Sequence, residues 1–207
     1  PREQINTLLR HYESGRFTEA EKLAALLTHE FPKHPFGWKA LGLVFQHTGR
    51  LNEALAALNQ AVELSPHDFE AYCNLGGTLA ALDKLEEAEA AYKQALALKP
   101  DHFEAHYNFG GLLRTLGKLD ETEASYRQAI ASRPNHAGVH NNLGSTLREL
   151  GRGNEAEAAY RRAIALEPDQ AGPYNNLGNL LMELERPNEA ITAYAQAVSL
   201  KSDFTAA

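Results

Sequence analysis

Apolar residues recur along this chain at spacings of three and four, the period of an amphipathic α-helix, and the whole pattern restarts at a fixed interval. Trp38, Leu41 and Phe45 mark one such face, and Tyr72, Leu75 and Leu79 mark the same face one interval later. Each interval predicts two amphipathic helices joined by a short turn. Glycine stands at 42, 76, 110, 144 and 178 and proline at 32, 66, 100, 134 and 168, each set evenly spaced and both sharing one step. With glycine near ~7% of residues, four further glycines in fixed register would arise by chance on the order of once in 10⁵. The repetition defines six units, 1–34, 35–68, 69–102, 103–136, 137–170 and 171–204, read as a single solenoid over 1–207. Residues 205–207 either open a seventh unit or mark a truncated end.

Positions within a unit carry separate expectations. Position 8 is glycine in units two to six, and position 20 is Ala20, Ala54, Ala88, Ala156 and Ala190, with Thr122 the exception. Small residues on both helices predict a close approach. Glycine costs roughly 1 kcal/mol of helix propensity, so its recurrence implies that packing more than offsets the loss. Position 24, with Leu58, Tyr92, Tyr126, Tyr160 and Tyr194, is expected to fill the space between adjacent units. Gly15, Gly49, Gly117 and Gly151 predict the ends of first helices, with Asp83 and Glu185 standing in for glycine in units three and six. Position 16 is basic in every unit and position 19 is always Glu, as in Arg50 and Glu53 or Arg152 and Glu155. Cations at one helix end and a carboxylate at the start of the next oppose the helix dipoles, so these pairs are read as structural rather than as acid–base sites. The prolines at position 32 end the second helices.

The first unit departs from the pattern. Leu8 replaces the glycine, Leu27 replaces an alanine, and His11 stands where Phe45 and Leu79 stand elsewhere. The last unit has Ser202 in place of proline, and Ile191, Tyr194 and Val198 are expected to leave an apolar face uncovered.

Composition narrows the function classes. A net charge of −7 and a pI near 5.7 speak against a nucleic-acid or anionic-membrane surface. Cys73 is the one cysteine, which fits a reducing compartment and a cytoplasmic location. No apolar run is long enough to span a membrane, and Pro1-Arg2-Glu3-Gln4 does not read as a signal peptide. The motifs of phosphate loops, nucleophile elbows and zinc hydrolases are missing, so no catalytic site and no cofactor are expected. His34, His102 and His136 share one inter-unit loop position, too far apart for a common metal. His106 and His140 replace Trp38 and Tyr72 as packing residues.

Trp38-x2-Leu41-Gly42-x2-Phe45, followed by Ala54, Leu58, Ala61 and Pro66, resembles the tetratricopeptide repeat (TPR). The resemblance covers the whole chain and implies an all-α, right-handed superhelical solenoid of six helix-turn-helix units. It also implies that first helices line a concave groove through positions 2, 5, 6, 9, 12 and 13. Position 6 carries Asn6, Asn74, Asn108, Asn142 and Asn176, broken by Ala40. Helix interiors do not favour asparagine, so five copies need a reason. The ladder resembles that of the O-linked N-acetylglucosamine transferase superhelix, which implies that the amides hold the backbone of an extended peptide. An amide offers both donor and acceptor, so it can pair with any peptide unit. The alternative is that each asparagine bonds to a neighbouring helix and fixes the stack; one amide can do both.

Asn141 and Asn175 double the amides in the last two units, and Tyr107, Arg114, Arg148 and Lys39 are expected on the same face. Glu70, Glu104, Glu149 and Glu183 make that face mixed in charge. The expected function is a non-catalytic scaffold that binds an extended peptide or protein segment in the groove. Two other readings stay open: the substrate-recruiting arm of a larger glycosyltransferase or sulfotransferase, and a homo-oligomer stacked through uncapped ends.

Overall fold

The computed structural model describes residues 2–205, with side chains described for residues 3–200; the expectations for the side chain of Ser202 and for residues 206–207 lie outside them. The described residues form twelve α-helices, two per repeat unit. They are α1 (Arg2–Glu13), α2 (Phe17–Glu30), α3 (Pro35–His47), α4 (Leu51–Leu64), α5 (Phe69–Ala81) and α6 (Leu85–Leu98). They continue as α7 (Phe103–Thr115), α8 (Leu119–Ser132), α9 (Ala137–Glu149), α10 (Gly153–Leu166), α11 (Ala171–Glu183) and α12 (Pro187–Thr205). None of these helices is long and apolar enough to cross a membrane.

The described residues gather into two compact bodies, which divide between Pro100 and Asp101. In each body three helical hairpins stack in chain order, the second helix of one hairpin lying against the first helix of the next. Each body is thus a short all-α solenoid, with its core spread between neighbouring hairpins rather than gathered at one centre.

The hairpin turns share one geometry. The N–H of Gly49 donates to the carbonyl of Gln46, and that of Arg50 reaches back to Phe45 at 2.8 Å. This is a Schellman closure, which satisfies two carbonyls left open at a helix end. The pattern recurs at Gly15, Gly117 and Gly151, all at φ between 71° and 75°. Asp83 and Glu185 take the same left-handed backbone at φ 59° and 57° without being glycine, at a cost of about 1–2 kcal/mol.

What closes each hairpin is the contact between position 8 and position 24 of the same unit. A Cβ placed on Gly144 would lie 2.7 Å from the ring of Tyr160, and one on Gly110 or Gly178 would lie 2.6 Å from Tyr126 or Tyr194. Leu58 sits over Gly42 in the same way, at 2.5 Å. Position 24 thus serves its own hairpin as well as the space between units, where Tyr126 also meets Asn142 of the next unit. These side chains lie across the glycine of their own hairpin, because only there does the facing helix present no side chain. In the first hairpin the sizes are exchanged: Leu8 is large and Ala24 is small, and both are buried.

Charged ties join neighbouring hairpins. Arg152 donates to Glu123 of the preceding unit at 2.6 Å and to Glu155 of its own at 2.6 Å. Arg186 does the same with Glu157 and Glu189, and Arg50 with Glu21 and Glu53. The basic residue at position 16 is therefore a clip between units as well as a dipole partner. Leu55 replaces the distal acid in the second unit. There the tie moves to the first helices, where Lys39 pairs with Asp68 and Glu70, and Gln46 donates to the carbonyl of Asn74 and the hydroxyl of Thr78. On α12, Ile191 and Val198 are about two-thirds exposed, at 64% and 66%, whereas Tyr194 is half-buried over Gly178.

Replacing Gly144 by Ala forces a methyl group into the Tyr160 ring and should destabilise the protein by about 1–3 kcal/mol in urea denaturation. Gly144→Leu alone should cost more, and Gly144→Leu combined with Tyr160→Ala, which copies the Leu8/Ala24 arrangement, should recover most of that loss. The second prediction concerns acid. The guanidinium groups of Arg186 and then Arg161 hold the half-buried Glu157 carboxyl below its usual range, against the opposing effect of burial. A depressed folded-state pKa contributes stability that is complete above the unfolded value of about 4.3 and is lost as pH falls below it. Glu157→Gln should therefore lower stability at neutral pH and flatten its decline below about pH 4.5, read from denaturation midpoints across pH.

Candidate functional site

The first helices of the second body, α7, α9 and α11, carry most of the residues singled out in the sequence. Two of them start on a histidine. The His102 ring Nδ1 accepts the N–H of Ala105 and that of His136 accepts the N–H of Val139, each at 3.3 Å. In the first body His34 starts α3 and Asp68 starts α5 in the same manner. The loop histidines are helix caps, and among the described residues no cluster of His, Cys, Asp and Glu is arranged to hold a metal ion. His140 does pack as Trp38 does, bonding the carbonyl of Pro134 at 2.8 Å where Trp38 donates to that of Pro32 at 2.9 Å. His106 is buried beside the hydroxyl of Ser125.

Side chains bridge neighbouring first helices in two rows. In one row the Asn142 amide donates to the Tyr107 hydroxyl at 3.4 Å, and the Asn176 amide donates to the Asn141 oxygen at 2.9 Å. In the other, Arg114 pairs with Glu149 at 3.4 Å and Arg148 with Glu183 at 3.9 Å. Every rung joins a residue to one 35 positions later. Asn142 and Asn176 are half-buried, and Asn108 and Asn175 are exposed.

The hairpin tyrosines form the floor beneath these rows. Having crossed the glycine, Tyr160 donates its hydroxyl to Ser145 at 3.1 Å, and Tyr194 donates to Asn179 at 2.7 Å. Burial raises the Tyr160 phenol and pushes that of Tyr126 up to about 12. At one edge Phe103 stacks with Tyr107 at 6.0 Å, and His136 leans on both rings at 4.9 and 5.6 Å. Arg133 lies 4.4 Å over Phe103 and pairs with Glu104. Arg114, Arg133 and Arg148 each meet a carboxylate, so the face is polar and electrically balanced.

The remaining expected residues lie in the first body, and their setting differs. Asn6 is exposed, Asn74 is half-buried, and Ala40 is buried. Burial alone would lower the Lys39 pKa, but Asp68 and Glu70 outweigh it and raise it. Lys39 is therefore a tie between α3 and α5 whose charge is already answered. Nearby first-helix positions are apolar, with Leu9 exposed and Ile5 and Leu43 half-buried. Sequence reasoning missed the tyrosine hydroxyls with their partners Ser145 and Asn179. The available signal was a polar residue at position 9 standing 15 residues before a tyrosine in both units.

Comparison with known proteins adds the family. Models described as tetratricopeptide repeat match residues 37–101, 73–137 and 171–204, and one described as TPR repeat matches 144–185. No curated protein matches the chain by sequence. Among solved structures, MamA from Desulfovibrio magneticus RS-1 superimposes with a TM-score of 0.78 at 20% identity, covering 82% of this chain and 96% of its own. YrrB, described as a TPR protein with an unusual peptide-binding site, gives 0.75 at 19% identity over 87% of this chain and 93% of its own. The pilF protein of Pseudomonas aeruginosa gives 0.72 at 20% identity over 80% of this chain and 75% of its own.

The buried phenols predict a two-step alkaline titration. A phenol in water ionises near about 10, while Tyr126 stays neutral until about 12. Absorbance at phenolate wavelengths should show a late step, and Tyr126→Phe should shrink it. Because the unfolded chain loses these protons first, stability should fall as pH rises above about 10.

Proposed function

The chain belongs to the tetratricopeptide repeat family, and from that we propose that it is a non-catalytic scaffold that holds an extended segment of a protein partner against α7, α9 and α11. The observation that carries this reading is the run of amides at position 6 of three successive first helices, Asn108, Asn142 and Asn176, flanked by Asn141 and Asn175. Each amide pairs with a peptide group whatever side chain that peptide carries. The rungs to Tyr107 and Asn141 support the reading by fixing the amides of Asn142 and Asn176 in place, which lowers the entropy lost on binding. The other role weighed for the asparagines, tying the stack together, is served by the same rungs.

Asn108→Ala, Asn142→Ala and Asn176→Ala combined should leave the helical circular dichroism unchanged and abolish partner capture from lysate. Losing three hydrogen bonds at about 1 kcal/mol each lowers affinity about 100-fold. Equal capture by the folded variant would place binding elsewhere on the molecule.

A further inference from the structure

We infer that the outer face of the last hairpin, built on α12, is where two copies of this chain meet, each presenting the same face to the other. This is independent of the amide face. The reason lies in what each hairpin turns towards the next. Position 21 of a second helix supplies the acid of a clip, as Glu123 does for Arg152 and Glu157 for Arg186. Position 28 supplies an apolar group, and Ile130 and Ile164 pack into the core of the second body. Position 12 of a first helix supplies a polar bridge, as Arg114 does to Glu149, Arg148 to Glu183 and Gln46 to Thr78. Each of the first five hairpins keeps an acid at position 21 or a bridging polar residue at position 12.

The sixth hairpin keeps neither. Its positions 12, 21 and 28 are Met182, Ile191 and Val198. Among the described residues these are the most exposed large apolar side chains, at 50%, 64% and 66%. Such a grouping on a surface marks a contact site. Between Asn188 and Leu200, α12 carries one charged side chain, Glu189, which Arg186 and Arg161 hold. An ordinary hairpin set on this face would bring a basic residue at position 16, as all six units do. It would find neither the acid of a clip nor the polar bridge that takes over beside Leu55. What fits instead is a surface that is apolar and uncharged at its centre.

Within this chain the face of that description is the same face on a second copy. The outer side of the first hairpin is no match. Positions 3, 4, 7 and 11 of a first helix seat it on the hairpin before. Gly37 lies against Leu27 and Thr28, and Tyr174, Leu177 and Leu181 line a groove with Ile164. In α1 those four positions are Glu3, Gln4, Thr7 and His11, all of them polar. Setting Met182, Ile191 and Val198 against them would strip water from polar groups without pairing them. A head-to-tail stack is therefore disfavoured. A two-fold contact of like faces sets uncharged side chains against uncharged side chains, and it closes at two copies because both apolar faces are then used.

The test is the mass of the 207-residue chain by light scattering across a concentration series. The mass should rise from one chain to two and stop there. Ile191→Glu places on α12 the acid that stands at position 21 in four other units, as Glu21, Glu89, Glu123 and Glu157. In the contact that carboxylate would be buried without a partner, so the dimer should weaken at least about 100-fold. Val198→Glu should do the same from the other end of the face. Both sites are exposed, so circular dichroism should stay unchanged, and the second variant carries the test if the first fails to fold. Leu9→Glu on α1, also at an exposed site, should leave the dimer intact. A single chain at every concentration overturns the inference, as does growth past two copies, which marks a head-to-tail stack. A dimer that survives in folded Ile191→Glu and Val198→Glu, or is lost in Leu9→Glu, overturns the assignment to α12.

Discussion

Five of the six described hairpins close on one steric relation, in which a helix position without a side chain lies beneath a large side chain from the facing helix. The gap is absolute rather than graded, since a Cβ at Gly110, Gly144 or Gly178 would sit 2.6–2.7 Å from ring carbon. Glycine weakens a helix by about 1 kcal/mol, and burying a tyrosine ring contributes more than that in return. The contact also sets the polarity beneath the first helices. With the ring locked across the glycine, the hydroxyl of the buried Tyr160 bonds Ser145 and that of the half-buried Tyr194 bonds Asn179. The packing of the hairpin and the polarity beneath the candidate face thus follow from the same pair of residues.

Besides the apolar core that they share, neighbouring hairpins are joined by polar contacts in two places. Arginine clips join second helices, spanning 29 residues from Arg152 to Glu123 and from Arg186 to Glu157. Amide, hydroxyl and ion-pair rungs join first helices across 35 residues. Exposed single ion pairs contribute little to stability, but Glu123 and Glu157 are largely buried and each meets two arginines. Removing the arginines would leave a desolvated carboxylate behind. Where the second unit has Leu55 in place of the acid, the charged contact moves to Lys39 on the opposite row.

The sequence made the fold legible because its signals are local and repeated. Helix faces, glycine turns and unit boundaries all recur at one shared interval, and a deviation such as Asp83 keeps the same left-handed turn as the glycines around it. Pairings across the repeat were harder to see. Nothing in a linear reading indicates that Tyr160 covers Gly144, that Arg152 reaches back to Glu123, or that His136 caps a helix. These depend on how two helices are rotated about each other, which periodicity leaves open. The amide face was legible as a set of residues, and the structure adds which amides are held: Asn142 and Asn176 are tethered, while Asn108 and Asn175 stand out from the surface.

The exchange of Leu8 and Ala24 shows what the hairpin conserves. The two sites together must hold one bulky group, and either helix can supply it. Scoring each column of a repeat separately penalises such a unit twice, once for the missing glycine and once for the missing ring. Yet α1 and α2 pack as a hairpin, with the bulk carried by the first helix instead of the second. A repeat detector that weighed the summed volume of paired sites would count this unit with the others, and hidden end units of other solenoids along with it.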